Sequence, residues 1–461
     1  MMKKVLCITL CAILILGFAG CAGSNKGETS TDTSNASNGT VATSTNETTN
    51  PTENKDVKLT MTWWGSQLRH DMTLKAIELF EEKNPGITIE SEYSSYDTYF
   101  DKVSTQIAGG NAPDIIQVDL AWMDAFTSTN VLLDLTPYVA DKTLKTDKVD
   151  AAGIDVSTYG NKLYAIPTGF MSLGVIYNSS VFKEVGVPEP TPEWTWEDFA
   201  SKAEQIAKAK GKGYYGALDG SLMNPIAFTL EIFVRQQGRP LFKDGQVGAS
   251  KEDLIAWFKM WDDMRKTGAS TSAEFTANAT WSIETRPITT GFAAMDFDVQ
   301  NKLESYQKNM KNKNDVIKIA PFPHSKNEAK NGTNIRTGIT MGAYAKSKYP
   351  TESVKFLDFF MNDADAAKIL GVDRGVPANR DNRELVKPDL SELNKVGVEF
   401  VEYIAKTSSP IDPPYPMGYA EVEKKLKTVS EGVAYGALSF EKAADQFIAD
   451  ANKILKEARS K

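Results

Sequence analysis

The stretch KLTMTWWGSQLRHD, Lys58–Asp71, sets two indoles side by side and follows them with an arginine, a histidine and an aspartate. Tryptophans ordinarily lie inside elements and loops are ordinarily polar, so Trp63, Trp64 and Arg69 are candidates for work at a surface. Carboxylates recur at positions that read as strand ends: Asp119 after PDIIQV, and Asp296 and Asp298 in GFAAMDFDV. Two carboxylates flanking a bond suffice for glycoside hydrolysis, but the sequence does not set their separation, so that chemistry stays an alternative. Arg336 in NIRTG and Arg374 in DRGVPAN sit in loops beside strands, where a planar guanidinium donates a fork of hydrogen bonds into a cleft. Only two histidines occur, His70 and His324, too few for a His-based zinc site or a Ser-His-Asp triad. GKGYYG, Gly211–Gly216, has the spacing of a dinucleotide fingerprint but follows the helical run AEQIAKAK, not a strand, and reads as a turn.

The elements that must position these groups alternate. Val57–Thr62 is apolar and β-branched; Leu74, Ile77 and Phe80 then recur at helical spacing until NPG, Asn84–Gly86, stops the helix. Ile87–Tyr93 alternates like a strand, Tyr96, Tyr99, Phe100, Val103 and Ile107 form a second helical stripe, and Ile115–Val118 is a short buried strand. This βαβαβ order predicts parallel strands with right-handed crossovers. Ligands bind beyond the carboxyl ends of such strands, which gathers Trp63 and Trp64, Tyr93, Asp119 and Trp122 on one rim, with one indole of the pair expected to pack beneath it as core. Further on, Lys162–Phe182 reads as two strands broken at Pro167–Gly169. TWEDF, Thr195–Phe199, opens a capped helix. Trp257 and Trp261 pack one helix face, and Gly291–Phe297, Lys318–Pro323 and Gly338–Ala345 are further strands.

The first residues carry an address. Lys3 and Lys4 precede an apolar run to Phe18, too short to be a membrane-spanning helix, and GFAGC ends at Cys21 like a lipobox. Residues 1–21 are therefore expected to be a lipoprotein signal peptide ending at lipidated Cys21, and 22–56, rich in Ser, Thr and Asn, a disordered tether. Cys7 and Cys11 fall in the signal, so the exported chain would have no internal disulfide. The formal net charge of −8 argues against nucleic acid as a partner.

FEEKNPGITIE (Phe80–Glu90), AGGNAPDIIQVD (Ala108–Asp119), LLDLTPYV (Leu132–Val139), KLYAIPTG, IYN (Ile176–Asn178) and TWEDF resemble the extracellular solute-binding proteins of ABC importers, in particular the branch that binds maltose and multiple sugars. The resemblance covers essentially the whole chain beyond the tether. It implies an α/β, two-lobe periplasmic-binding-protein-like fold with the ligand cleft between the lobes and three hinge crossings. Residues 57–169 with 339–378 would form the N-terminal lobe, and 170–338 with 379–461 the C-terminal lobe. The crossings would fall at Thr168–Met171, Thr337–Thr340 and Arg374–Pro377.

On the same resemblance, Asp119 beside Trp122 contributes a polar group to a sugar, the loop Trp63–Arg69 contributes too, and a late cleft aromatic falls on Tyr415 or Tyr419. Met171 stands where maltose-type members place a carboxylate. Trp281 is a stacking candidate on the second lobe, or packs on its neighbouring helix. A sugar's C–H faces lie on aromatic rings while Asp and Arg bind its vicinal hydroxyls. The implied function is a lipid-anchored, monomeric capture protein. It would use no cofactor and no metal, deliver an oligosaccharide to permease subunits by hinge closure, and not be an enzyme. A same-fold receptor for another solute and a surface-anchored carbohydrate-active enzyme are the alternatives.

Overall fold

The computed structural model describes residues 56–460 apart from 224, 278–281, 338, 410, 411, 413 and 414. The expected signal peptide, Cys21, the tether up to residue 55 and Trp281 lie outside the described residues.

The chain opens as expected with β1 (Val57–Trp64), α1 (Gln67–Lys83), β2 (Ile87–Ser94), α2 (Tyr96–Ala108) and β3 (Ile115–Asp119), and α3 (Leu120–Ser128) follows, which the sequence reading did not foresee. Ser66 caps α1 by accepting from the Arg69 amide, and Gly86, at φ +91°, makes the turn into β2. β1 pairs in parallel with β2 on one side and β3 on the other; strand Ile339–Ala343 then adds antiparallel to β3, and Ile166–Pro167 adds beyond it. The connections from β1 therefore diverge between β1 and β3. That is the switch point at which an open α/β sheet makes its crevice.

The sequence reading ends β1 at Thr62; the strand continues through both tryptophans, because Trp63 pairs with Tyr93 and Trp64 with Ser94. Successive strand residues point to opposite faces. Trp63 accordingly enters the core that α1 shares with helix Pro350–Asn362, and Trp64 enters the core of Tyr99, Val118 and Phe126. Both indoles are buried, not one.

A second sheet has the order Ile317–Ala320, Leu173–Asn178, Ala293–Val299, Tyr215–Ala217. Its large core holds Trp194, Trp196, Phe199, Trp257, Trp261 and Phe297, closed over by helices Tyr419–Ala434 and Phe440–Arg459. Thr195 and Asp198 form a reciprocal capping box, and Gly211 ends that helix at φ +86°; the first residues of GKGYYG make the turn the sequence reading expected, and Tyr215 and Gly216 already belong to the next strand. Asp296 and Asp298 lie inside their strand rather than at its end, since pairing runs on to Val299 opposite Leu173.

Three segments pass between the sheets, and they bond to one another in a narrow belt. Phe170 exchanges backbone hydrogen bonds with Val376 (2.6 and 2.8 Å), and Met171 does so with Arg336 (2.8 and 2.7 Å). The belt is tight enough to require glycine. A Cβ on Gly169 would stand 2.8 Å from the Arg374 carbonyl oxygen, and one on Gly375, at φ +108°, would stand 2.6 Å from that of Phe170. The helix after the third crossing, Arg380–Val386, stays with the first sheet: Arg380 and Arg383 both pair with Asp150. The next helix, Glu392–Thr407, packs on strand Ile317–Ala320 and also sends Val398, Val401 and Ile404 into the core of the first sheet.

Candidate functional site

At the carboxyl edge of the first sheet, aromatic rings are stacked so that their outer faces remain open. Tyr93 leaves the end of β2 and lies on the His70 ring, centroids 4.1 Å apart; it is 43% exposed. Tyr96, just after the Ser95 cap of α2, stacks on Trp122 at 5.6 Å and 20° and is 48% exposed. Trp122 in turn rests on Trp64, Tyr99 and Phe100. The Tyr96 hydroxyl donates to Asp119 Oδ2 (3.2 Å), so the carboxylate at the end of β3 sits among these rings. With Leu68 in the first turn of α1, this edge carries three of the seven exposed large apolar side chains among the described residues. Such clustering marks a binding surface.

Beneath the rim, at the switch point, lies a polar cluster. His70 Nδ1 accepts from Trp63 Nε1 (3.0 Å), so the neutral ring carries its proton on Nε2; burial, then Arg374 and Arg69, push its pKa down. Arg69 donates from Nε to Asp373 Oδ2 (2.5 Å) and from Nη2 to the Asp373 carbonyl (3.0 Å). Arg374, 4% exposed, donates from Nε to Gln117 Oε1 (3.1 Å) and from Nη2 to Thr73 Oγ1 (2.8 Å), its guanidinium 5.4 Å from the Phe360 ring centre. Burial, and then the charge of Arg69, push Arg374 down to about 9, with Asp373 offsetting part of this.

On the second lobe, Arg336 has a full set of partners. It donates to Glu231 Oε2 (2.7 Å), to the Tyr415 hydroxyl (3.1 Å) and to Asn334 Oδ1 (3.2 Å), over the ring of Phe228. The Tyr415 hydroxyl also donates to Glu231, and Tyr415 and Tyr419 stack at 4.1 Å and 9°. Burial opposes the Glu231 charge, yet Arg336, Tyr415 and Arg235 together hold its carboxyl below the usual range.

The sequence candidates therefore separate. Asp119 and Trp122 meet at the rim, with Trp64 supporting them from below. Arg69 and Arg374 come together at the switch point, and Arg336, Tyr415 and Tyr419 on the second lobe. Two candidates have no surface to offer a ligand and are corrected. Trp63 is wholly buried and bonded to His70, and Asp296 is wholly buried against Arg286. Asp298 is likewise committed to Arg286, Lys302 and Tyr306.

Sequence reasoning passed over Tyr96 as a helix-face residue, and gave no role to Gln117, Asp373 or Glu231. Tyr96 carried a signal in its place directly after a capping serine. The other three meet their partners across 105 to 304 residues of chain, where no local pattern reports them.

Two α/β lobes, a three-strand belt and a rim of aromatic rings at the switch point define a hinged binding protein. The chain belongs to the bacterial extracellular solute-binding protein family, which it matches over residues 71–367. It is similar to the multiple sugar-binding protein of Streptococcus mutans, 21% identical over 381 residues, covering 76% of this chain and 83% of that one. Among solved structures it resembles an extracellular solute-binding protein family 1 member from Alicyclobacillus acidocaldarius, with 27% identity, TM-score 0.73, and coverage of 87% of this chain and 99% of that one. It also resembles a periplasmic oligogalacturonide binding protein from Yersinia enterocolitica in complex with saturated digalacturonic acid, with 21% identity, TM-score 0.73, and coverage of 87% and 99%.

Proposed function

We propose that the protein is the capture subunit of an ABC importer. Held at the outer face of the cell membrane by lipid on Cys21, it takes up an oligosaccharide by closing its lobes and presents it, as a monomer, to the permease subunits. The observation that carries this reading is the rim: Tyr93 and Tyr96 stand exposed at the edge where the Asp119 carboxylate accepts from the Tyr96 hydroxyl. A pyranose has apolar C–H faces for such rings and vicinal hydroxyls for such a carboxylate. A ring face covering about 100 Å² contributes roughly 2.5 kcal/mol before ordering costs. Two spaced rings suit more than one sugar unit. The relative named for multiple sugars and the saccharide complex of the same fold support this assignment.

Capture without turnover is the reading the carboxylates support, because Asp296 and Asp298, the other two strand carboxylates, are bound by Arg286 and Lys302. The test is a thermal-shift screen of oligosaccharides. At a hundredfold excess over Kd a ligand stabilises the fold by roughly 2.7 kcal/mol, which for about 400 residues raises the melting temperature by about 3 °C. The bound saccharide should be recovered chemically unchanged. A panel in which no saccharide shifts the transition while a peptide or metal complex does would overturn the reading.

A further inference from the structure

The two arginines on the crossings are treated differently by the fold. Arg336 faces a carboxylate, Glu231, and every direction of its fork is answered. Arg374 is more deeply placed, yet no carboxylate among the described residues forms an ion pair with it. Its Nε and Nη2 find only an amide oxygen and a hydroxyl, and its Nη1 meets no acceptor among the described residues. The neighbours have other partners: the Asp373 carboxylate accepts from Arg69 through Oδ2, the Thr73 hydroxyl proton is donated to the Arg69 carbonyl (2.6 Å), and Gln117 donates from Nε2 to the Trp64 carbonyl (3.1 Å).

The cluster thus holds two guanidinium groups for one carboxylate, in a place where an unpaired charge is costly. It lies under the edge where β1 and β3 end and where α1 begins. The first turn of that 17-residue helix contains no acidic side chain, and its positive pole adds to the same field.

We propose that Arg374, with Arg69 beside it, is an anion subsite of the cleft, and that the natural ligand is an acidic saccharide whose carboxylate completes the hydrogen bonding of Arg374. The inference rests on the sugar-capture reading and sharpens it. The carboxylate accepts from Nη1 of Arg374 at the switch point, while the sugar rings extend over the Tyr93 and Tyr96 faces. This also explains why a buried arginine is tolerated there. Its partner arrives with the solute.

Calorimetric titration with a hexuronic-acid oligosaccharide and with its methyl ester tests the proposal, because esterification removes the charge and keeps the sugar. The acid is expected to bind about tenfold to a hundredfold tighter than the ester, the range for a hydrogen bond to a buried charged group, and its affinity should fall as salt rises. In Arg374→Gln the acid and ester should bind alike, and Arg374→Lys should regain part of the discrimination. Equal binding of acid and ester by the wild type overturns the anion subsite while leaving sugar capture standing; that comparison needs no variant to fold. Inorganic phosphate and a sugar phosphate are titrated in parallel. If phosphate binds in an Arg374-dependent way and no saccharide does, the anion site stands and the sugar reading fails. Absence of binding by every probe overturns the anion subsite, and the neutral saccharides of the thermal-shift panel then decide sugar capture.

Discussion

Asp296 shows how a single buried carboxyl can shape the pH behaviour of a whole protein. Burial pushes its pKa up, Arg286 pulls it back and Asp298 pushes it up again, leaving it at about 6. An unfolded aspartate titrates near its model value of 3.8, so between these two values the folded state holds the proton and the unfolded state has lost it. The contribution of Asp296 therefore stabilises the fold below the window, declines as pH rises through it, and is a full penalty above about pH 6. Two units correspond to at most roughly 3 kcal/mol. Asp296→Asn, isosteric and uncharged, is expected to flatten the fall in melting temperature between pH 4 and 6.5 relative to wild type. Superimposable profiles for the two proteins would show that Arg286 keeps the carboxyl ionised throughout. His70 acts in the opposite sense: its lowered pKa means that stability is lost as pH falls below its ordinary value of 6.5, when protonation costs Trp63 its acceptor.

Among the elements, the crossings set the narrowest tolerances. A side chain on Gly375 meets a backbone oxygen at 2.6 Å and must also adopt φ +108°, whereas Gly186, at φ +72°, has open space around its missing Cβ. Gly186→Ala is expected to cost only the backbone strain, about 1 kcal/mol. Gly375→Ala should cost roughly 2 kcal/mol more, because the belt of Phe170 and Val376 has to part. Chemical denaturation of the two variants makes the comparison; equal losses would mean that the belt yields without resistance. The elements themselves were largely readable in advance, since the stripe Leu74, Ile77, Phe80 and the NPG stop are local signals. What escaped was governed by distant partners. The Trp-Trp-Gly run looks like the start of a loop, and only its ladder with Tyr93 and Ser94 makes it strand. The helix Arg380–Val386 looks like the start of the second lobe, and partners more than 200 residues earlier, Asp147, Lys148 and Asp150, tie it to the first. The rim was legible because strand ends are legible; the pairing of Arg374 with Gln117 was not, because it joins a hinge to a core strand across the sheet.

At the scale of the whole molecule, the belt is held by few bonds while each lobe has a large core of its own, so rotation about the crossings is the motion the architecture makes easiest. A ligand drives that motion only by the difference in its affinity for the open and closed states. Moving the population from one part in a hundred closed to ninety-nine needs a preference of about 10⁴ for the closed form, which a ligand touching one lobe alone cannot supply. Saccharide length should therefore separate binding from closure. A monosaccharide confined to the Tyr93–Tyr96 rim is expected to saturate in calorimetry with little change in the radius of gyration measured by X-ray scattering. A longer oligomer that also reaches the Tyr415–Tyr419 stack should bind more tightly and contract the particle. Contraction by the monosaccharide equal to that by the oligomer would place the closing contacts within the first lobe's rim and crossings, and the second-lobe tyrosines would then have no part in capture.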